Sequence, residues 1–318
     1  MNKILCIGEA LIDMICTDKG NALSNGNNFL KKAGGAPTNV AVAIKAFGGN
    51  IDIAAKVGND PFGTHIIDLL KSYGLNTKFI FKDNNYFTTL AFVSLLDNGE
   101  RDFFFNRGAD GNLNKEDMTN IQIPDYSIVH LGSATAFLPG ELQKVYLQVL
   151  EEAIKQNCFI SFDPNYRHLL YKDCQESFIN QSEYFIEKAH FIKLSDEEAL
   201  LITKQQNVED AIVALRKKTN AIITITLGKT GTLLCFKQHQ KIIPSIEVNP
   251  IDTTGAGDAF VGATLFQLNH LSFEEINNLN FNDWENIVFN ANKAGAKTCT
   301  YYGAMEALQH LSTQIFTI

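Results

Sequence analysis

Short apolar runs rich in β-branched residues alternate along the chain with stretches whose apolar positions recur at helical spacing. Residues 4–7, 51–57, 128–131, 159–162, 191–194 and 222–227 read as strands, and helical patterns lie between most of them. This alternation predicts an α/β fold: a doubly wound, mostly parallel sheet covered by helices on both faces, with ligands at the carboxyl ends of its strands. Two segments depart from the pattern, 13–32 and 86–107. In the second, 88–96 and 101–106 read as strands around an Asp97-Asn98-Gly99 turn, so the two segments predict one small antiparallel unit. The asparagine-rich stretch 21–28 reads as a solvated turn, and no internal repeat or long linker interrupts the 318 residues.

Two glycine clusters open helical runs within this frame. In Asp252-Thr253-Thr254-Gly255-Ala256-Gly257-Asp258-Ala259-Phe260 the nearly bare backbone of Gly255, Ala256 and Gly257 lets N–H groups approach an anion. The start of the following helix adds partial positive charge. Asp258, beside that hole, is placed to take a proton from an attacking hydroxyl while the amides hold charge on a transferred phosphoryl group. Taken alone, the segment reads equally well as a glycine turn with a capping aspartate. The second cluster, Ala33-Gly34-Gly35-Ala36-Pro37-Thr38-Asn39-Val40-Ala41, shifts that balance toward chemistry.

Composition narrows the classes. The formal charge of −8 disfavours a nucleic-acid or anionic-membrane surface, and the 45% hydrophobic content suffices for a large core. Six scattered cysteines without a C-x-x-C pair fit a reduced compartment, and seven histidines without H-x-x-x-H spacing leave a metal hydrolase without ligands. The first apolar run is too short for a signal peptide and no stretch reaches membrane-span length, so a cytoplasmic protein is expected. Gly228-Lys229-Thr230 is not a P-loop, because position 223 is Ile where that motif needs glycine.

With Gly8-Glu9-Ala10-Leu11-Ile12-Asp13, Val57-Gly58-Asn59-Asp60-Pro61-Phe62-Gly63 and Thr226-Leu227-Gly228, the two glycine clusters resemble the signatures of the ribokinase-like (PfkB) sugar kinases, in the family's order and over nearly the whole chain. The resemblance implies one kinase domain over 1–318 whose segments 13–32 and 86–107 form a β lid over the sugar. It implies ATP-dependent phosphorylation of a sugar hydroxyl, with Asp258 as base and Gly255, Ala256 and Gly257 as anion hole. Asp13 would accept sugar hydroxyls, with Gly34, Gly35 and Asn39 beside it; as residues alone, Asp13 also fits a turn and Asn39 an N-cap. Asn106-Arg107-Gly108-Ala109-Asp110 and Asp163-Pro164-Asn165-Tyr166-Arg167 resemble the fructokinase subgroup, making Arg107 and Arg167 candidate sugar ligands, although either also fits a surface residue or lid salt bridge.

Thr226, Gly228 and Asn292 are implied around ATP. Glu198 is implied to act on Mg2+ through water, though Ser195 replaces the family's Asn there, and Ser195 with Glu198 also reads as a capping box. Asp252 and Thr254 are implied as oxygens for a potassium-like cation. The expected reaction converts fructose to fructose 6-phosphate; the alternatives are a 2-keto-3-deoxygluconate kinase or a non-catalytic sugar or nucleotide sensor on the same fold. Exposed lid edges would favour a homodimer through the lids.

Overall fold

The computed structural model describes residues 2–18, 20–97 and 101–317. Thirteen strands form among them: β1 Ile4–Ile7, β2 Leu11–Cys16, β3 Phe29–Gly34, β4 Ile51–Gly58, β5 Ile80–Asp83, β6 Leu90–Leu95, β7 Arg101–Asn106, β8 Ile128–Leu131, β9 Phe159–Phe162, β10 Phe191–Ser195, β11 Ile222–Thr226, β12 Gly231–Phe236 and β13 His239–Pro244. Nine build the main sheet, in the order β13-β12-β11-β10-β9-β8-β1-β4-β5. All pairings from β5 to β11 are parallel, and only β11–β12 and β12–β13 are antiparallel.

All six strands expected from the apolar runs are present, with ends shifted by a residue. Three others, β5, β12 and β13, fall outside those runs. β5 holds only Ile-Phe-Lys-Asp, and β13 is an edge strand whose residues are mostly exposed, so neither carries an apolar run. Alternate residues of one strand enter opposite layers, as period-two geometry demands. Ile4 and Cys6 pack with Trp284 and the helices Ala36–Ala46, Ala256–Leu268 and Phe281–Thr298; Leu5 and Ile7 pack with the helices Glu141–Lys155 and Gln175–Lys188. A sheet buried on both faces needs apolar residues at both parities, which explains why its strands read as continuous runs.

The remaining four strands form a separate sheet in the order β3-β2-β6-β7. β2–β3 and β6–β7 are antiparallel hairpins, as expected of the lid segments, but β2 and β6 pair in parallel at its centre. Two local hairpins from distant parts of the chain set that arrangement. Asn98 and Gly99 of the expected turn lie outside the described residues. From β1 the chain steps to β4 on one side and later to β8 on the other, so the strand order reverses there. Such a reversal leaves a crevice at the carboxyl ends of the strands.

Candidate active site

Two helix N-termini meet over that crevice. Gly35 caps the helix Ala36–Ala46 with φ +112°, where a Cβ would fall 2.3 Å from the Glu9 carbonyl oxygen, so no side chain fits. Gly255 caps the helix Ala256–Leu268 in the left-handed region, φ +82°. Both caps are glycines, which removes the capping alternatives for Asn39 and Asp258. Asn39 lies one turn into the first helix and Asp258 in the first turn of the second, and Asn39 Nδ2 donates to Asp258 Oδ2 at 2.8 Å. Asn39 Oδ1 is buried without a hydrogen-bond partner among the described residues. An unmatched acceptor in that position is costly unless a ligand donates to it. Burial raises the Asp258 pKa against the lowering pull of Asn39, Arg167 and Lys193. A carboxylate held above its ordinary range is a better proton acceptor than a solvated one.

Lys193 supplies a buried positive charge. It sits within β10, 8% exposed, with Nζ 3.1 Å from Asp163 Oδ2. Burial disfavours its ammonium, but the carboxylates of Asp163, Glu198 and Asp258 outweigh that and raise its pKa. A Cβ added at Gly257 would lie 3.2 Å from Lys193 Nζ, so the ammonium borders the glycine turn and glycine leaves room for it. No motif in the sequence gives Lys193 a role; a lysine inside the run Phe191-Ile192-Lys193-Leu194 of a two-sided strand is the available signal. Glu9 was likewise missed. It accepts from the Ala36 and Ala134 N–H groups at 2.9 and 3.3 Å and from the Ser133 hydroxyl, and Thr38 Oγ1 donates to its backbone oxygen at 2.8 Å. Burial lifts its pKa to about 7. Glu9 thus fixes the first glycine turn to the ends of β1 and β8.

On the lid side, Asp13 lies on β2 and its carboxylate covers Gly34: a Cβ at 34 would meet Asp13 Oδ2 at 2.5 Å. Burial raises the Asp13 pKa to about 6, while the charge of Arg167 pulls it down. Arg167 also lowers the Asp258 pKa, so its guanidinium acts on both carboxylates. Its NH2 donates to Asn165 Oδ1 at 2.9 Å and its NH1 to the Tyr166 carbonyl at 3.1 Å. Asn165 itself holds φ +51°, a strained conformation for a non-glycine residue, and its Nδ2 ties it to the Gly132 carbonyl.

Arg107 follows the last strand of the small sheet. NH1 and NH2 donate to the Pro139 and Thr135 carbonyls at 2.7 and 3.1 Å, and Nε lies 3.5 Å from the buried Asp110. Its fork is thus engaged by two backbone carbonyls and one buried carboxylate.

Toward the nucleotide side, Thr226 ends β11 with its hydroxyl on the Leu194 carbonyl at 3.2 Å, and Gly228 has open space where a Cβ would stand. Asn292 is committed to the scaffold: Nδ2 donates to the Ile243 and Pro244 carbonyls at 2.9 and 3.1 Å, and Oδ1 accepts from Thr232 at 2.6 Å. Its amide bolts a helix to the β12–β13 edge. Glu198 completes the capping box with Ser195 and also accepts from the Tyr166 N–H at 2.8 Å. Both carboxylate oxygens therefore bind backbone, which fits an outer role through water and not a direct metal ligand. No group of three His, Cys, Asp or Glu able to hold a metal ion occurs among the described residues. Asp252 Oδ1 accepts from the Thr254 N–H and hydroxyl at 2.9 and 2.7 Å, and Oδ2 from the Gly303 N–H at 2.9 Å, which shapes the loop before the anion hole.

Comparison with known proteins agrees with this geometry. The profile of the pfkB family carbohydrate kinase matches residues 1–311. Probable fructokinase-4 of Arabidopsis thaliana is 34% identical over 308 residues, covering 96% of this chain and 93% of that protein. Among solved structures, the fructokinase of Xylella fastidiosa with bound ATP superposes with a TM-score of 0.86 at 26% identity, covering 99% of this chain and 97% of that one. A double-mutant fructokinase of Vibrio cholerae O395, with fructose, ADP and potassium ion bound, superposes with a TM-score of 0.84 at 28% identity, covering 100% and 97%.

Proposed function

The chain belongs to the pfkB family of carbohydrate kinases, and we propose that it transfers the γ-phosphoryl group of ATP to fructose, giving fructose 6-phosphate and ADP. The observation that carries this reading is the Asn39–Asp258 contact, which brings the two glycine-led helices to one carboxylate. In the proposed reaction the sugar lies between the lid and the crevice, with Asp13 accepting its hydroxyls and the open Asn39 Oδ1 accepting another. Asp258 takes the proton of the attacking hydroxyl. The hydroxyl oxygen bonds to the γ-phosphorus as its bond to the bridging oxygen of ADP breaks. The N–H groups of the Gly255–Gly257 turn hold the charge on the transferred group, with the Lys193 ammonium beside them.

Magnesium bound with the nucleotide would offset the charge of its phosphates, and Glu198 would hold it through water. Asp252 and Thr254 carry oxygens suited to a monovalent cation, and the Vibrio fructokinase binds potassium. We assign the whole of 1–318 to one kinase domain with the β3-β2-β6-β7 sheet as lid. The cytoplasm suits the chain, because all six cysteines stay unpaired. Among the described residues, no helix is long and apolar enough to cross a membrane.

Arg167 distinguishes fructose from a sugar acid. Its charge is already shared by Asp13 and Asp258, so a further carboxylate on 2-keto-3-deoxygluconate would meet two anions as well as one cation. A coupled ADP-release assay should therefore show kcat/KM for fructose at least about a hundredfold above that for the sugar acid. Arg167→Gln should keep measurable fructose binding. A preference for the sugar acid that high salt and Arg167→Gln both remove would replace fructose in this reading. No turnover on fructose, ribose, the sugar acid or nucleosides would favour the sensor.

The lid leaves Leu95 and Phe104 more than half exposed at its β6–β7 side, which favours burial against a second copy. Sedimentation equilibrium should give a dimer for the unaltered chain and a monomer for Phe104→Lys. A monomer in the unaltered chain at micromolar concentration would remove the dimer.

A further inference from the structure

The Lys32–Glu306 ion pair joins the β2–β3 hairpin to the segment that packs on the Gly255 turn. Lys32 lies on β3 directly opposite Asp13 of β2, two residues before Gly34. Its Nζ stands 2.6 Å from Glu306 Oε1 and 5.7 Å from the centre of the Tyr302 ring. Glu306 belongs to the short helix Ala304–Leu308, whose first residues buttress the anion-hole turn. Gly303 donates its N–H to Asp252, and a Cβ at Gly255 would fall 2.9 Å from Ala304 Cβ. Among the described residues Glu306 Oε2 has no hydrogen-bond partner, and the carboxylate's hydrogen bond to the small sheet comes from Lys32.

Coupling between two ligands requires an element whose arrangement both of them bias. A sugar held by Asp13 and Gly34 fixes the β2–β3 hairpin and with it the Lys32 stem. The ammonium then holds Glu306, and through residues 303–304 the turn that is to receive phosphate. A nucleotide on the Gly255–Gly257 turn orders the same segment from the other end. We propose that Lys32 and Glu306 are a positioning pair that couples sugar binding under the lid to nucleotide binding at the glycine turn. The inference deepens the kinase reading and rests on it.

Calorimetry with a non-hydrolysable ATP analogue, with and without saturating fructose, measures the coupling as a ratio of dissociation constants. A partly exposed pair of this kind supports a ratio of about three- to fivefold in the unaltered chain. Glu306→Gln and Lys32→Met should each bring it close to one, with kcat at saturating substrates changed less than about twofold and thermal melts little moved. The double variant Lys32→Met/Glu306→Gln should lose no more than either single change, and the exchanged pair Lys32→Glu/Glu306→Lys should restore part of the ratio. Single variants that keep the full ratio, or losses that add in the double variant, overturn the inference. Fructose turnover by an unaltered chain whose ratio is already one overturns the inference alone, whereas absence of fructose turnover overturns the functional reading beneath it.

Discussion

Asp258→Asn lowers kcat by on the order of a hundredfold or more, while the KM values for fructose and ATP stay within a few-fold. The amide matches the carboxylate in size, and its oxygen can still accept from Asn39 Nδ2, so the contact between the two helices survives. What it loses is the ability to take a proton. The same change should raise the melting temperature near neutral pH. Because burial raises the Asp258 pKa in the folded chain, the folded state binds this proton more tightly than the unfolded one. Stability is therefore lost as pH rises from the unfolded pKa through the folded one, and a neutral isostere removes that loss. Steady-state kinetics beside thermal melts separate the two effects. Near-wild-type turnover would reduce Asp258 to a helix-start residue, and a lowered melting temperature with loss of both substrates would mean misfolding.

The fold was legible where burial on both faces wrote itself into unbroken apolar runs, as in Ile4–Ile7 and Ile128–Leu131. It was illegible where pairing and not burial makes the strand: β13, mostly exposed, exists because β12 offers it hydrogen bonds. The parallel β2–β6 contact could not be read either, since no local pattern records which of two hairpin strands will meet. At the site, the sequence exposes groups whose chemistry depends on backbone, such as Gly255 and Gly35, because glycine at a helix start has few other uses. It conceals groups whose role is set by what stands opposite. Lys193 reads as an interruption in a strand until Asp163 and Gly257 surround it, and Glu9 reads as a loop carboxylate until four donors converge on it. Nor does the sequence show that the Arg107 donors serve the Thr135 and Pro139 carbonyls. Asn292 belongs with it, its amide drawn to the sheet edge by two carbonyls.

Asp13→Ala raises the apparent KM for fructose by about thirty- to a thousandfold and that for ATP only a few-fold. A carboxylate accepting two sugar hydroxyls makes two charge-assisted hydrogen bonds, whose loss costs about 2–4 kcal/mol when the hydroxyls are left against protein. The proposed nucleotide subsite around Thr226 and Gly228 lies at the main sheet, away from β2, so its own contacts persist; the proposed Lys32–Glu306 coupling carries the remainder. Asp13→Asn separates charge from shape, keeping one acceptor and offering a donor where the hydroxyl protons point. Stability should move the opposite way from binding. Burial raises the folded Asp13 pKa to about 6 from the ordinary 3.8, so the ionised carboxylate costs stability that is lost as pH rises between those values. Both variants should therefore melt higher than the unaltered chain above pH 6, and the difference should shrink toward pH 4. Equal effects on the two KM values would detach Asp13 from the sugar, and a change in melting with unaltered kinetics would return it to the role of a turn aspartate.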